Sequence, residues 1–221
     1  NATRLGLAGI PREAEIIVVE RDIRLVELTG GRLHIANVST SDSIDVIRRA
    51  KERGINVTCD TAPPYFALDE HAIGDYRTFA KLSPTLRGEE DRQAMVQAIA
   101  DGVVDCIAAD HTPQDEESKR LPFAQAASGG VGLETLLPIT LELYHNGHLS
   151  LLAALDLITR KPADLMGMTA GRLRVGAPAD LVVFEPDRSW KVDADALNSK
   201  SKNSPFDGRP VQGLVLRTVI D

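Results

Sequence analysis

The chain has 221 residues, 43% hydrophobic and 26% charged, with a formal net charge of −7. That is the composition of an ordinary globular protein of one large domain or slightly more. The acidic balance and the lack of a basic run interleaved with aromatics exclude a nucleic-acid surface, and no apolar stretch approaches the roughly 18 residues of a membrane span.

Residues 1–11 read as a Gly-containing loop; the chain starts at Asn1 without a Met or visible signal peptide and looks cut from something longer. Residues 12–28 read as a helix, with Ala14, Ile17, Val18, Arg21, Leu25 and Leu28 near helical spacing and Gly30-Gly31 as its stop. A strand is expected over 33–38, with Ser39-Thr40-Ser41 supplying an N-cap. The helix over 42–53 is acidic at its start and basic at its end, which suits the helix dipole, and Gly54 ends it. A second strand over 55–60 completes a βαβ unit with parallel strands.

The segment 61–87 is longer than an ordinary connection, so it is either functional or partly structured. A helix opens at Gly88, buries Met95, Val96 and Ile99, and stops at Gly102. Residues 103–109 then read as a buried parallel strand. After the polar and Gly-rich loop 115–132 come helices over 134–145 and 150–160, and Pro162 can start a third. From Gly171 the texture changes: 181–184 and 211–220 are β-rich. Cys59 and Cys106 lie far apart in apolar runs with no CxxC spacing, so they read as reduced core residues of a cytoplasmic protein.

The strand over 103–109 runs into Asp110-His111-Thr-Pro-Gln114. A carboxylate at the C-terminal end of a parallel strand stands where barrel enzymes place their chemistry, and it can ligate a metal or move a proton. The plainer reading, Asp110 capping the loop and His111 packed on a rim, stands beside it. In the strand over 33–38, alternation puts Leu33, Ile35 and Asn37 on one face and His34, Ala36 and Val38 on the other. If Asn37 points into a barrel mouth, His34 is a structural histidine on the helix-facing side. His71 falls in the long loop, and His145 and His148 flank a helix C-terminus. No HxH or HExxH spacing is present, and a catalytic zinc needs about three protein ligands. One carboxylate without a histidine cluster means that any metal site must be completed by residues outside this chain.

The segments Leu33-His-Ile-Ala-Asn-Val-Ser-Thr40, Ser83-Pro-Thr-Leu-Arg-Gly-Glu-Glu-Asp-Arg92, Ala109-Asp-His-Thr-Pro-Gln114, Lys119-Arg-Leu-Pro-Phe123 and Gly132-Leu-Glu-Thr-Leu-Leu-Pro138 together resemble a dihydroorotase. The type is the one associated with multifunctional pyrimidine complexes. Gly171-Arg-Leu, Gly176-Ala-Pro-Ala-Asp-Leu-Val182 and Asn203-Ser-Pro-Phe-Asp-Gly208 are similar to that family's closing β segment. The resemblance implies an α/β fold, the C-terminal part of a (β/α)8 amidohydrolase barrel over residues 1–168 with a partial flanking β region over 169–221. The early strands would be missing, leaving apolar strand edges exposed and the isolated chain poorly soluble.

The resemblance further implies a zinc-dependent cyclic amidohydrolase of pyrimidine synthesis that interconverts N-carbamoyl-L-aspartate and L-dihydroorotate. Asp110 would be metal ligand and proton shuttle, with substrate contacts from Asn37, Ser83, Gln114 and the backbone near Gly130. Four positions depart from the family pattern. Asn37 replaces a metal-binding histidine before Val-Ser-Thr, Ala62-Pro-Pro-Tyr65 replaces Thr-Pro-His-His, Ser83 replaces an Asn, and Gln114 replaces a His. A neutral amide oxygen is a weak zinc ligand. These departures resemble a noncatalytic branch that serves as a structural partner of aspartate transcarbamoylase, which is the alternative to the enzyme. A cyclic amidase for another ring is a third reading.

Overall fold

The computed structural model describes residues 2–221; Asn1, the first residue of the expected opening loop, lies outside the described residues. The rest of that segment holds a helical turn, α1 (Ala2–Leu5), before the long helix α2 (Glu13–Thr29). Gly30, at φ 66°, closes α2 in the left-handed conformation open to glycine. The α2 face that packs inward is Val19, Ile23 and Val26, whereas Ile17, Leu25 and Leu28 are exposed. Helical spacing identified the helix but not its buried side, because apolar residues surround it.

Strand β1 (Leu33–Ile35), helix α3 (Ser41–Glu52) and strand β2 (Val57–Thr61) form the expected βαβ unit. Helix α3 starts under Thr40, whose hydroxyl accepts from the Ser43 N–H at 3.3 Å. The former "long loop" carries helix α4 (Pro63–Ala67) and two 3-10 turns, Glu70–Ile73 and Thr78–Ala80. Helix α5 (Glu89–Ala100) follows, then strand β3 (Cys106–Ile107). β1, β2 and β3 are parallel neighbours in that order, with Leu33 opposite Val57 and Asp60 opposite Cys106. The third strand is shorter than expected, partly because the Asp105 side chain takes the Cys59 N–H at 2.7 Å and the Lys51 ammonium at 2.6 Å.

Leu33, Ile35, Val57 and Cys59 face helices α2, α3 and α5 in the main core with Ile23, Ile47, Met95 and Ile99. Both cysteines are buried free thiols, and burial pushes each up to about 12.

Helix α6 (Glu116–Arg120) interrupts the polar loop, and α7 (Leu136–His145), α8 (Leu151–Asp156) and α9 (Arg160–Leu165) follow. Ser150 caps α8, which is shorter than its sequence pattern suggests. An antiparallel pair, β4 (Leu181–Lys191) and β5 (Pro210–Val219), closes the chain. Its root packs on α7: Trp190 donates to the Gly213 carbonyl at 3.0 Å, and a Cβ at Gly213 would lie 2.5 Å from Leu141 Cδ1. Its far end, with Val182, Val183, Val215 and Leu216, is exposed.

Several motif residues act as staples around the strand ends. Glu15 on α2 accepts from the backbone N–H and hydroxyl of both Ser39 and Thr40. Arg87 donates to Ser39 Oγ at 3.1 Å and the Ile10 carbonyl at 3.1 Å. Buried Asp91 accepts from the Ser41 N–H and from Arg12, both at 2.9 Å. Charge-assisted bonds of this kind fix loop geometry more strongly than neutral ones.

Candidate active site

At the C-terminal ends of β1 and β3 the chain makes two unusual turns. Asn37 has φ 54° and Asp110 φ 46°, and Tyr76 is the one other described non-glycine residue at positive φ. L residues with side chains adopt that region at a cost of about 1–2 kcal/mol each, so both are held there by their surroundings. They meet: Asn37 Nδ2 donates to Asp110 Oδ1 at 3.2 Å. Asn37 Oδ1 is buried without a hydrogen-bond partner among the described residues.

The left-handed turn at Asn37 also overturns the sequence reading of His34. Because Leu33 and Ile35 face the helices, His34 lies on the opposite, helix-free face, not the helix-facing side. There its Nδ1 meets Thr58 Oγ1 at 2.9 Å and its Nε2 meets Asp60 Oδ2 at 2.8 Å. Since a carboxylate only accepts, Nε2 carries the proton in this pair. The other Asp60 oxygen, Oδ1, accepts from the Asn37 backbone N–H at 2.7 Å. A hydrogen-bonded line therefore runs Thr58, His34, Asp60, Asn37, Asp110 across the three strand ends. Sequence reasoning missed Asp60. The available signal was the polar alternation Thr58, Asp60 against apolar Val57, Cys59.

Burial pushes the Asp110 carboxyl above the ordinary carboxylate range and Asp60 adds to the rise, against hydrogen bonds from Asn37 and Tyr65. The Tyr65 hydroxyl, itself pushed up by burial and by Asp110, has a single proton to share between Asp110 and the Pro84 carbonyl, which lies 3.0 Å away. Pro84 follows a cis Ser83–Pro84 bond. Ser83 itself is exposed on that loop.

Gly130 is near Asp110: it bridges His111 as a parallel strand would, and its carbonyl accepts from the Thr112 N–H at 2.8 Å. Asp110 and Gly130 line one cavity of about 10 Å³ with Pro63, Pro64 and Leu82, room for about one water. Gln114 is tied elsewhere, its side chain donating to the Ser128 carbonyl at 2.9 Å. His111 Nδ1 accepts from the Gly132 N–H at 3.2 Å, which leaves the ring proton on Nε2. His71 and His145 contact Asp69 and the Pro186 carbonyl, away from Asp110.

Among the described residues, no group of three or more His, Cys, Asp or Glu side chains could hold a metal ion. Asp60 is engaged at both oxygens, so the donors left at Asp110 are one carboxylate and the neutral Asn37 oxygen. That set does not fit a catalytic zinc by itself.

Parallel strands with helices on one face and a carboxylate at a strand's C-terminal end define a class, and the family comparison agrees with it. The amidohydrolase family model matches residues 11–221, and the chain belongs to that family. Its sequence relatives are more particular: it is 47% identical to a dihydroorotase of Anaplasma phagocytophilum over 217 residues, 98% of this chain and 48% of that protein. It is likewise 47% identical to a dihydroorotase of Desulforapulum autotrophicum, covering 100% of this chain and 51% of that one. The chain thus spans about half the length of the curated relatives it matches.

Among solved structures it resembles the dihydropyrimidinase of Brevibacillus agri (TM-score 0.89, 29% identity) and the L-hydantoinase of Arthrobacter aurescens (TM-score 0.88, 31% identity). Each match covers 95% of this chain and 48% of the other. No described helix is long and apolar enough to cross a membrane.

Proposed function

We propose that this chain is part of a cyclic amidohydrolase of the dihydroorotase type, interconverting N-carbamoyl-L-aspartate and L-dihydroorotate. Residues 1–168 are the C-terminal part of a (β/α)8 barrel, and residues 169–221 part of a flanking β region. The observation that carries the reading is Asp110: a half-buried carboxylate at the end of β3, turned by a left-handed backbone onto the Asn37 amide. Opening a cyclic amide requires a proton to leave the attacking water and reach the ring nitrogen, and Asp110 is the group that moves it. Asn37 and Gly130 lie beside it and contact the substrate; the resemblance adds Ser83, exposed on its loop, and Gln114, bonded to the Ser128 carbonyl, as further contacts. The resemblance implies zinc, but the donors among the described residues of this chain do not complete such a site.

The test is hydrolysis of L-dihydroorotate by the full-length protein and its Asp110→Asn variant. Turnover that falls by about 10²–10⁴-fold in the variant supports the assignment. Absence of turnover in the unmodified protein overturns it. A second reading, a noncatalytic subunit that supports aspartate transcarbamoylase, rests on the neutral Asn37 standing where the resemblance calls for a metal-binding histidine. An inactive protein that raises the stability of added aspartate transcarbamoylase would decide for that reading. The names of the relatives favour the enzyme.

A further inference from the structure

We propose that Asp60, oriented by His34, is a positioning residue that sets the Asn37 turn and, through it, the placement of the Asp110 carboxylate. The proposal rests on the reading of Asp110 as the proton-moving group. Asp60 is 8% exposed, and its carboxylate has two separate tasks. Oδ2 receives the His34 ring proton, while Oδ1 receives the Asn37 N–H. The Asp60 main-chain carbonyl takes the next N–H, that of Val38, at 3.0 Å. One residue of β2 thus holds two successive N–H groups of the turn after β1.

Without the Oδ1 acceptor the Asn37 N–H loses its partner, because the β1 to β2 pairing ends at Ile35 opposite Cys59 and the next backbone bond is that of Val38. A relaxed Asn37 swings its amide off Asp110. His34 in turn keeps the Asp60 carboxylate from rotating, and Thr58 Oγ1 fixes the ring from the other side. A purely structural hydrogen bond within the sheet would need only the His34 contact. The bond to the Asn37 N–H gives the pair its reach into the site.

Four variants of the full-length protein test this: Asp60→Ala, Asp60→Asn, Asn37→Gly and the double variant Asp60→Ala/Asn37→Gly. Glycine removes the Asn37 side chain while tolerating the left-handed backbone. Asparagine at 60 keeps an oxygen for the Asn37 N–H, and a neutral His34 can shift its ring proton to Nδ1, so that Nε2 accepts from the new amide and Nδ1 donates to Thr58 Oγ1. The expected result is a kcat loss of about 10- to 100-fold in Asp60→Ala with KM held, most of it recovered in Asp60→Asn. Asn37→Gly costs nothing further once Asp60 is Ala, since both act through one contact. Additive losses, or equal losses in the Ala and Asn variants, would overturn the proposal.

Two readouts do not need turnover. Hydrogen exchange at the Asn37 amide should speed up in Asp60→Ala but not in Asp60→Asn. The carboxyl-carbon resonance of Asp110, at fixed pH, should differ between Asp60→Ala and Asp60→Asn, which remove the same charge but differ in the acceptor they leave for the Asn37 N–H. Unchanged exchange and a resonance alike in these two variants would refute the positioning role. An unmodified protein without turnover would instead sink the enzyme reading, leaving these two measurements to decide on Asp60.

Discussion

Asn37 and Asp110 are 73 positions apart in the chain, both left-handed, and joined by a 3.2 Å hydrogen bond from the Asn37 amide to the Asp110 carboxylate. Two strained turns that meet at one contact are a device for aiming side chains rather than an accident of loop closure. The strain at Asn37 can be separated from the bond it makes. Asn37→Ala removes the bond and keeps a Cβ at φ 54°, whereas Asn37→Gly removes the bond and the Cβ together. Chemical denaturation should find the alanine variant less stable than the glycine variant by about 1–2 kcal/mol. Equal stabilities would mean that the turn relaxes freely.

Gly132 carries a stricter demand. A Cβ there would lie 2.1 Å from the Ala109 carbonyl oxygen, which is backbone and cannot rotate away. The glycine lets the segment after Gly130 run close beside the end of β3, with the Gly132 N–H reaching His111. Gly132→Ala should therefore cost more than about 2 kcal/mol, or prevent folding. Gly54 makes the control: it has φ 76° but nothing within 4 Å of a Cβ, so Gly54→Ala should cost only about 1 kcal/mol of backbone strain. Melting both variants side by side tests whether close approach or conformation governs; comparable losses would contradict the clash.

Glu134, in the Gly-Leu-Glu-Thr segment, is a loop clamp. Its carboxylate accepts from the Asn198 N–H at 3.1 Å, the Asn198 side chain at 2.8 Å and the Ser199 N–H at 3.1 Å. Burial works to raise its pKa, but the bonds from Asn198 and Ser199 prevail and hold the carboxyl below its usual range. Glu134→Ala should cost about 1–3 kcal/mol and speed hydrogen exchange over residues 198–199, with the βαβ unit unaffected. Protection unchanged there would remove the clamp from the account.

The βαβ unit was legible because its signals are local: a Thr40 cap, the order of charges on α3 and a glycine stop. The place of Asp110 just past a strand was legible because a strand pattern ran straight into it. The face of His34 was not, since strict alternation was carried through to Asn37, where the left-handed turn breaks it. Asparagine takes a positive φ more readily than most residues, but nothing in its type announces that an aspartate on another strand holds it there. The role of Asp60 was hidden for the same reason: its partners His34 and Asn37 come together only when β1 pairs with β2. The inward side of α2 needed the position of α3, because the helix's own apolar residues point every way.

Lys119, from the Lys-x-x-Pro-Phe segment, joins separate loops. It is 4% exposed, and its ammonium donates to the carbonyls of Thr78 at 3.0 Å, Lys81 at 3.4 Å and Ala127 at 2.8 Å. Burial, and to a lesser extent the charge on Lys81, push its pKa down to about 8. The ordinary value, 10.5, applies to the unfolded chain. Below pH 8 both states hold the proton and the penalty is constant. Between 8 and 10.5 the folded protein sheds it first, so the unfolded state binds more protons and stability rises with pH. Above that range both states are neutral and the gain is complete.

Lys119→Met leaves three carbonyls without their donor and should destabilise the fold at neutral pH by about 1–3 kcal/mol. It should also lack the alkaline rise, so the gap between the two proteins widens by about 2–3 kcal/mol from pH 8 to pH 10.5. Paired urea titrations across that range measure it. A gap independent of pH would mean that the three carbonyls keep the ammonium charged in spite of its burial.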